Sequence, residues 1–358
     1  MHKQIYFTIA AVFAAQSAVM LVPPSNAAEP APAKNVRPQK PEYSITDLGE
    51  IPAVAGDLCP SINNQGHVSF WTKDDDGQMH AVLWSGGQTT TLPKLAGYLG
   101  SVCRSINDND DVAGWTTTSR NMVDSSATVH PVLFRKGVAI DLGTLGGQDA
   151  QANFVSNAGD VVGVSLLGDR KTRHAFLWQN GKMKDLGALP DGSFSAAYSI
   201  NEAGDVVGVA DKGGQNHAVK WHNGVIQDLG TIEKQPRSFA TSINKSGVIV
   251  GFGETDDGVH ALKFGKTDID DLGVLGGDPS NARAINDAGT IVGMSGFNGH
   301  DLHAFIYRSG AMTDLNLLIP ADTTWRLREA DDINNRGEII CIGNHRHEPL
   351  HCLLLTPL

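Results

Sequence analysis

Residues Phe194–Gly230 read FSAAYSINEAGDVVGVADKGGQNHAVKWHNGVIQDLG. Four short β-type runs stand in this stretch, separated by turn chemistry. Phe194 to Asn201 is the first. Asn201-Glu202-Ala203-Gly204 is then a turn, because Asn at the first position bonds its own backbone and Gly at the fourth tolerates positive φ. Asp205 to Ala210 follows, with β-branched Val206 and Val207. A polar loop leads to the third run, His217-Ala218-Val219-Lys220-Trp221. Asn223-Gly224 is a strong hairpin signal, and Val225 to Leu229 is the fourth run. A sheet this small cannot bury both faces alone, so it must stack on neighbours.

The neighbours are in the sequence. Asp-Leu-Gly recurs at Asp47, Asp141, Asp185, Asp228 and Asp271, with degenerate forms at Thr91-Leu92-Pro93 and Asp314-Leu315-Asn316. Ile-Asn-x-x-Gly recurs with its Asn at Asn63, Asn107, Asn201, Asn244, Asn286 and Asn334. Ser156 takes the Asn place in a further copy, and Asp110 replaces the Gly of the second. A His opening an apolar run recurs at His80, His130, His174, His217, His260, His303 and His351. The repeat is about 45 residues, and four strands per such unit is propeller-blade arithmetic. The chain enters at Tyr43–Gly49, a fourth strand with no blade before it. It leaves at His351–Leu355, a third strand with no fourth after it. The expected fold is therefore all-β: a seven-bladed β-propeller of four-stranded antiparallel blades. The N-terminal strand closes the ring on the C-terminal blade, which leaves no unpaired edge.

His174-Ala175-Phe176-Leu177-Trp178 and His303-Ala304-Phe305-Ile306-Tyr307 resemble the signature of the HAF family of bacterial extracellular repeats. The phrases Asp141 to Gly147 and Ile200 to Gly208 match it too, and the resemblance spans Tyr43 to Leu358. It implies an exported repeat protein with a propeller fold. It carries no established activity and no catalytic residue.

Composition agrees. Among 358 residues, 40 are Gly, which argues against long helices. Lys plus Arg is 28 against 39 Asp plus Glu, a formal charge of −11, and no basic run offers a nucleic acid a surface. Residues 1–28 run from a basic start through an apolar stretch to small residues, as a cleaved secretory signal does. Residues 29–42 are rich in Pro, Ala and Lys and read as a linker, and 43–358 are the propeller. The expectation is a monomer in the periplasm or outside the cell, with no membrane association once the signal is removed.

The repeated His sit one per unit, too dispersed for one metal. Most are followed eleven residues later by the repeated Asp, which in a hairpin brings the side chains together. Blade-locking pairs are expected at His130–Asp141, His174–Asp185, His217–Asp228, His260–Asp271 and His303–Asp314, with Thr91 facing His80. His345, His347 and His351 form a weak metal candidate, against which a solvated loop is the plainer reading. The acidic turns Asp74–Asp76 and Asp108–Asp111 lack EF-hand spacing. Against the plainer reading of small buried residues, export favours disulfides: Cys341–Cys352 is expected within the last blade, and a Cys59–Cys103 bridge would cross between neighbouring blades. No nucleophile elbow, Cys-x-x-Cys, zinc-protease helix or phosphate loop stands in the chain, and no cofactor is implied.

The position three before the repeated Asn is variable and mostly polar. It holds Arg104, Asn153, Tyr198, Thr241, Arg283 and Asp331, with Pro60 in the first unit. If the first strand is innermost, these residues stand near the channel mouth. Arg104 and Arg283 would grip an anion, and Tyr198 would stack on a sugar or aromatic ring. The plainer reading is a lining that contacts water. The expected role is a binding or protein-interaction scaffold for a protein, a glycan or a small anionic ligand. A hydrolase or lyase acting on glycans or peptides at the channel mouth is the alternative.

Overall fold

Each Ile-Asn-x-x-Gly phrase ends one strand and begins the next. Asn201 Oδ1 accepts from Ala203 N and Asp205 N at 3.1 and 3.0 Å, and Gly204 N donates to Asn201 O at 3.0 Å. Gly204 takes a φ of +79°, which a side chain would resist. The computed structural model describes residues 40–52, 60–119, 127–232, 235–298, 301–345 and 348–358. The expected signal peptide, and the linker up to residue 39, lie outside the described residues.

Seven four-stranded antiparallel sheets result. Blades 1 to 6 each take four consecutive strands, spanning 61–91, 100–141, 146–185, 195–230, 238–271 and 277–314. Blade 4 shows the pattern, with Ser195–Ile200 innermost, then Val206–Lys212, Gln215–His222 and Val225–Gly230. Successive first strands touch around the axis, including the first strand of blade 1 against that of blade 7. The ring is therefore complete. Blade 7 takes Trp325–Ile333, Ile339–His345 and His351–Pro357 from the C-terminus and Tyr43–Glu50 from the N-terminus. Tyr43 pairs with Pro357 and Glu50 with His351. Closure by the first strand is as the phase of the repeat requires.

The core lies between blades. Val162 and Ala175 of blade 3 pack with Ala197, Val206, Val219 and Trp221 of blade 4. Ile340 and Leu354 of blade 7 pack with Val68, Phe70 and Val82 of blade 1. Small residues on one blade admit large ones from the next, which is how flat sheets reach close packing.

Polar ties run round the ring beside this core. Asn63 Nδ2 donates to Asn107 O, Asn107 to Ser156 O, Asn201 to Asn244 O, Asn244 to Asn286 O, Asn286 to Asn334 O, and Asn334 back to Asn63 O, at 2.8 to 3.3 Å. One side chain thus caps its own turn and fastens the next blade. Ser156 replaces this Asn in blade 3, where Asn153 Nδ2 donates instead to Ala197 O at 2.8 Å. A second set of ties uses serines. Ser195 Oγ accepts from Ala175 N, and Ser238 Oγ from Ala218 N, at 2.8 and 2.9 Å.

Candidate functional site

A shared device points six side chains at the axis. In blades 2 to 7 the innermost strand carries a β-bulge, and the extra residue is Arg104, Asn153, Tyr198, Thr241, Arg283 and Asp331 in turn. The bulge has a counterpart on the second strand. A Cβ at Gly114, Gly163, Gly208, Gly251 or Gly293 would run into a carbonyl oxygen of the innermost strand beside the bulge. The Gly that follows two apolar residues on the second strand is therefore what lets the inner strand buckle toward the axis. Blade 7 has Cys341 in that slot and a second register shift, between Leu327 and Glu329.

These residues, with Pro60 of blade 1, line one axial cavity of about 120 Å³. Its lining combines the expected positions from every blade. The bulges stand three residues before the turn between first and second strands, so the cavity lies toward the face that carries those turns. The variable loops between second and third strands open on the opposite face.

Two candidates have clear structural employment. Thr241 Oγ1 donates to Ala282 O at 2.7 Å, and Asn153 makes the tie already described. The other four are ionisable. Arg104 is 8% exposed. Burial pushes the Tyr198 phenol well up, against the pull of the Arg104 charge. Arg283 Nη2 donates to Glu329 Oε2 at 2.8 Å, and its Nη1 stands 3.7 Å from Asp331 Oδ1. The Asp331 side chain is only 3% exposed, and neither of its oxygens has a hydrogen-bond partner. Burial pushes its pKa well up, Arg283 opposes this, and Glu329 and Asp332 add to it. Asp332 differs. Its Oδ2 accepts from Ser61 Oγ and Ile62 N at 2.7 and 3.0 Å, which ties blade 7 to blade 1. Burial raises its pKa to about 6 despite these bonds.

The repeated His make the expected pairs. His130, His174, His217, His260 and His303 lie 2.6 to 3.1 Å from Asp141, Asp185, Asp228, Asp271 and Asp314. The remaining two complete the pattern differently. His351 pairs with Asp47 across the ring closure at 2.9 Å. His80, facing Thr91, turns to Asp74 at 2.8 Å. Beyond the His, the Asp of Asp-Leu-Gly also accepts from the Gly N, as Asp185 does from Gly187 N at 2.7 Å.

The Cys341–Cys352 bridge does not form, and both thiols are free. The register pairs Cys341 with Leu353 and Ile342 with Cys352, one step out of line. Alternation along a strand then puts the two sulfurs on opposite faces. Cys341 packs toward blade 6 and Cys352 toward blade 1. Cys103 Sγ donates to Phe70 O at 2.7 Å, while Cys59 lies outside the described residues. Of the weak metal candidates, His345 bonds Thr324 at 2.7 Å and stacks on Trp325, His351 serves Asp47, and His347 lies outside the described residues. Among the described residues, no group of three His, Cys, Asp or Glu is placed to hold a metal ion. In the acidic turns, Asp108 bonds Asn64 and Asn157, Asp110 bonds Asn63 and His67, and Asp111 pairs with Arg135. A groove of about 680 Å³ opens at the outer seam of blades 6 and 7, beside Lys40, Tyr43 and Arg308. It gathers no set of buried ionisable groups.

Ring and channel together define a β-propeller with a polar axial cavity. No protein-family model matches the chain, and no curated protein matches it in sequence. Among solved structures it is similar to puromycin hydrolase, with a TM-score of 0.57 at 11% identity over 82% of this chain and 51% of that one. It also aligns with the β-propeller domain of the Trilobed protease from Pyrococcus furiosus, at 0.49 and 9% over 73% and 84%. TolB from Acinetobacter baumannii aligns at 0.45 and 10% over 80% and 79%. At these identities the likeness concerns the fold alone.

Proposed function

We propose that this chain is an exported binding propeller of the HAF type that takes a small ligand in its axial cavity. The observation that carries this reading is the bulge that blades 2 to 7 show among the described residues. Each bulge gives a scaffold of repeated ties one variable residue, and all six meet in one cavity with Pro60. A rigid frame holding variable polar groups at one point is how binding sites are built. The sequence pattern of a signal and linker supports action in the periplasm or outside the cell. A melting-temperature screen of soluble metabolites and short glycans tests the proposal. A ligand found this way is expected to lose its effect in Asn153→Phe, which fills the cavity. A ligand whose shift survives that variant binds elsewhere and refutes the proposal.

One observation favours a second reading, hydrolysis or lysis in the same channel. Asp331 is a buried carboxyl with its pKa raised, as a general acid requires. Asp332 does not offer the partner base, since both its oxygens accept from backbone or Ser61. Turnover of a screened ligand, lost in Asp331→Asn while binding persists, would establish the catalytic reading over the binding one.

A further inference from the structure

Two guanidinium groups at the cavity suggest an anion, but the carboxyl groups beside them change the chemistry. Arg104 and Arg283 line the cavity with Asp331 and Asp332, and Glu329 pairs with Arg283. Asp332 is satisfied by Ser61 and Ile62, and Glu329 by Arg283. Asp331 is not: both oxygens are buried without a donor, and Arg283 Nη1 at 3.7 Å stops short of a hydrogen bond. A buried acceptor left in this state is costly, and an arriving donor group recovers that cost. The ionisable groups around Asp331 are Arg283 of blade 6, Glu329 and Asp332 of its own strand, and Cys341 and Cys352 of the next two strands. None of them donates to it.

We propose that the cavity takes a small zwitterion, an α-amino acid or a close analogue, with its ammonium on Asp331 and its carboxylate toward Arg104 and Arg283. This rests on the channel being the ligand site. An ammonium brings three donors to two empty acceptors, and a guanidinium fork matches a carboxylate. A simple anion brings Asp331 no donor, and a simple cation places its charge against two arginines. A zwitterion alone meets both. The volume agrees, since a cavity of about 120 Å³ holds several waters and so admits a small polar molecule in their place.

Isothermal titration of the full chain with glycine, sodium acetate and methylammonium chloride tests the inference. Glycine is expected to bind saturably with one site per chain, and the other two at least about tenfold more weakly. Asp331→Asn and Asp331→Ser are each expected to weaken glycine by about tenfold or more while melting as one cooperative unit. The pair guards against a loss caused by misfolding. Equal affinity for acetate and glycine, or glycine binding unchanged in both variants, overturns the zwitterion. Glycine binding that survives Asn153→Phe overturns the channel site as well. Absence of glycine binding, alongside a screened ligand that Asn153→Phe abolishes, removes the zwitterion and leaves the channel reading standing.

Discussion

His217 shows how one side chain does its work. Its Nδ1 meets Asp228 at 3.0 Å, and Asp228 also accepts from Gly230 N and Lys212 Nζ. Third and fourth strands are thereby pinned at the point where the chain leaves for the next blade. His217→Ala is expected to cost about 1–2 kcal/mol in urea unfolding and to leave channel binding unchanged. Asp332 gives the pH dependence. Its folded pKa of about 6 lies above the ordinary aspartate value, so protonation favours the folded ring. Its contribution is fully present below about pH 4 and is lost as pH rises through about 6, on the order of 3 kcal/mol. Asp332→Asn, which still accepts from Ser61 and Ile62, should flatten melting temperature against pH across that window. The five internal His–Asp pairs were legible because eleven residues is hairpin spacing. The ring of Asn ties was not, because nothing in the phrase Ile-Asn-x-x-Gly says that Asn201 Nδ2 reaches the neighbouring blade. Local turn chemistry accounts for the Asn by itself and hides its second task.

At the scale of the element, strand existence followed from alternation and turns, and boundaries came out close. Two features escaped. The bulges were hidden, although their signature was in view as the Gly that follows two apolar residues on the second strand, as in Val206-Val207-Gly208. That Gly reads as turn or packing chemistry until the facing carbonyl is known. Gly208→Ala is expected to destabilise by about 1–3 kcal/mol, because its Cβ meets the Ala196 carbonyl. Thermal unfolding checks this, with Gly204→Ala as a positive-φ comparison. The disulfide expectation failed for a related reason. Cys341 and Cys352 do share a hairpin, but a single step of register sends them to different interfaces. Sequence spacing fixes which strands pair more readily than which residues oppose each other.

For the whole molecule, the repeat phase determines that the ends must meet. Tyr43–Glu50 hydrogen bonds along His351–Pro357, and Asp47 supplies the partner that His351 lacks within its own strands. Deleting 43–49 is expected to lower the melting temperature sharply, since it opens an edge and unpairs His351. An unchanged value would mean the ring does not depend on this strand. The channel was legible as a set of positions and not as a chemistry. Arg104 and Arg283 pointed to an anion, whereas folding sets Asp331, Asp332 and Glu329 among them. The most direct measurement is the affinity of the ligand found by melting-temperature screening, for the native chain and for the Arg104→Ala/Arg283→Ala double variant. Channel binding predicts a loss of at least about tenfold in the double variant with the ring still folded. An affinity equal to that of the native chain would contradict it.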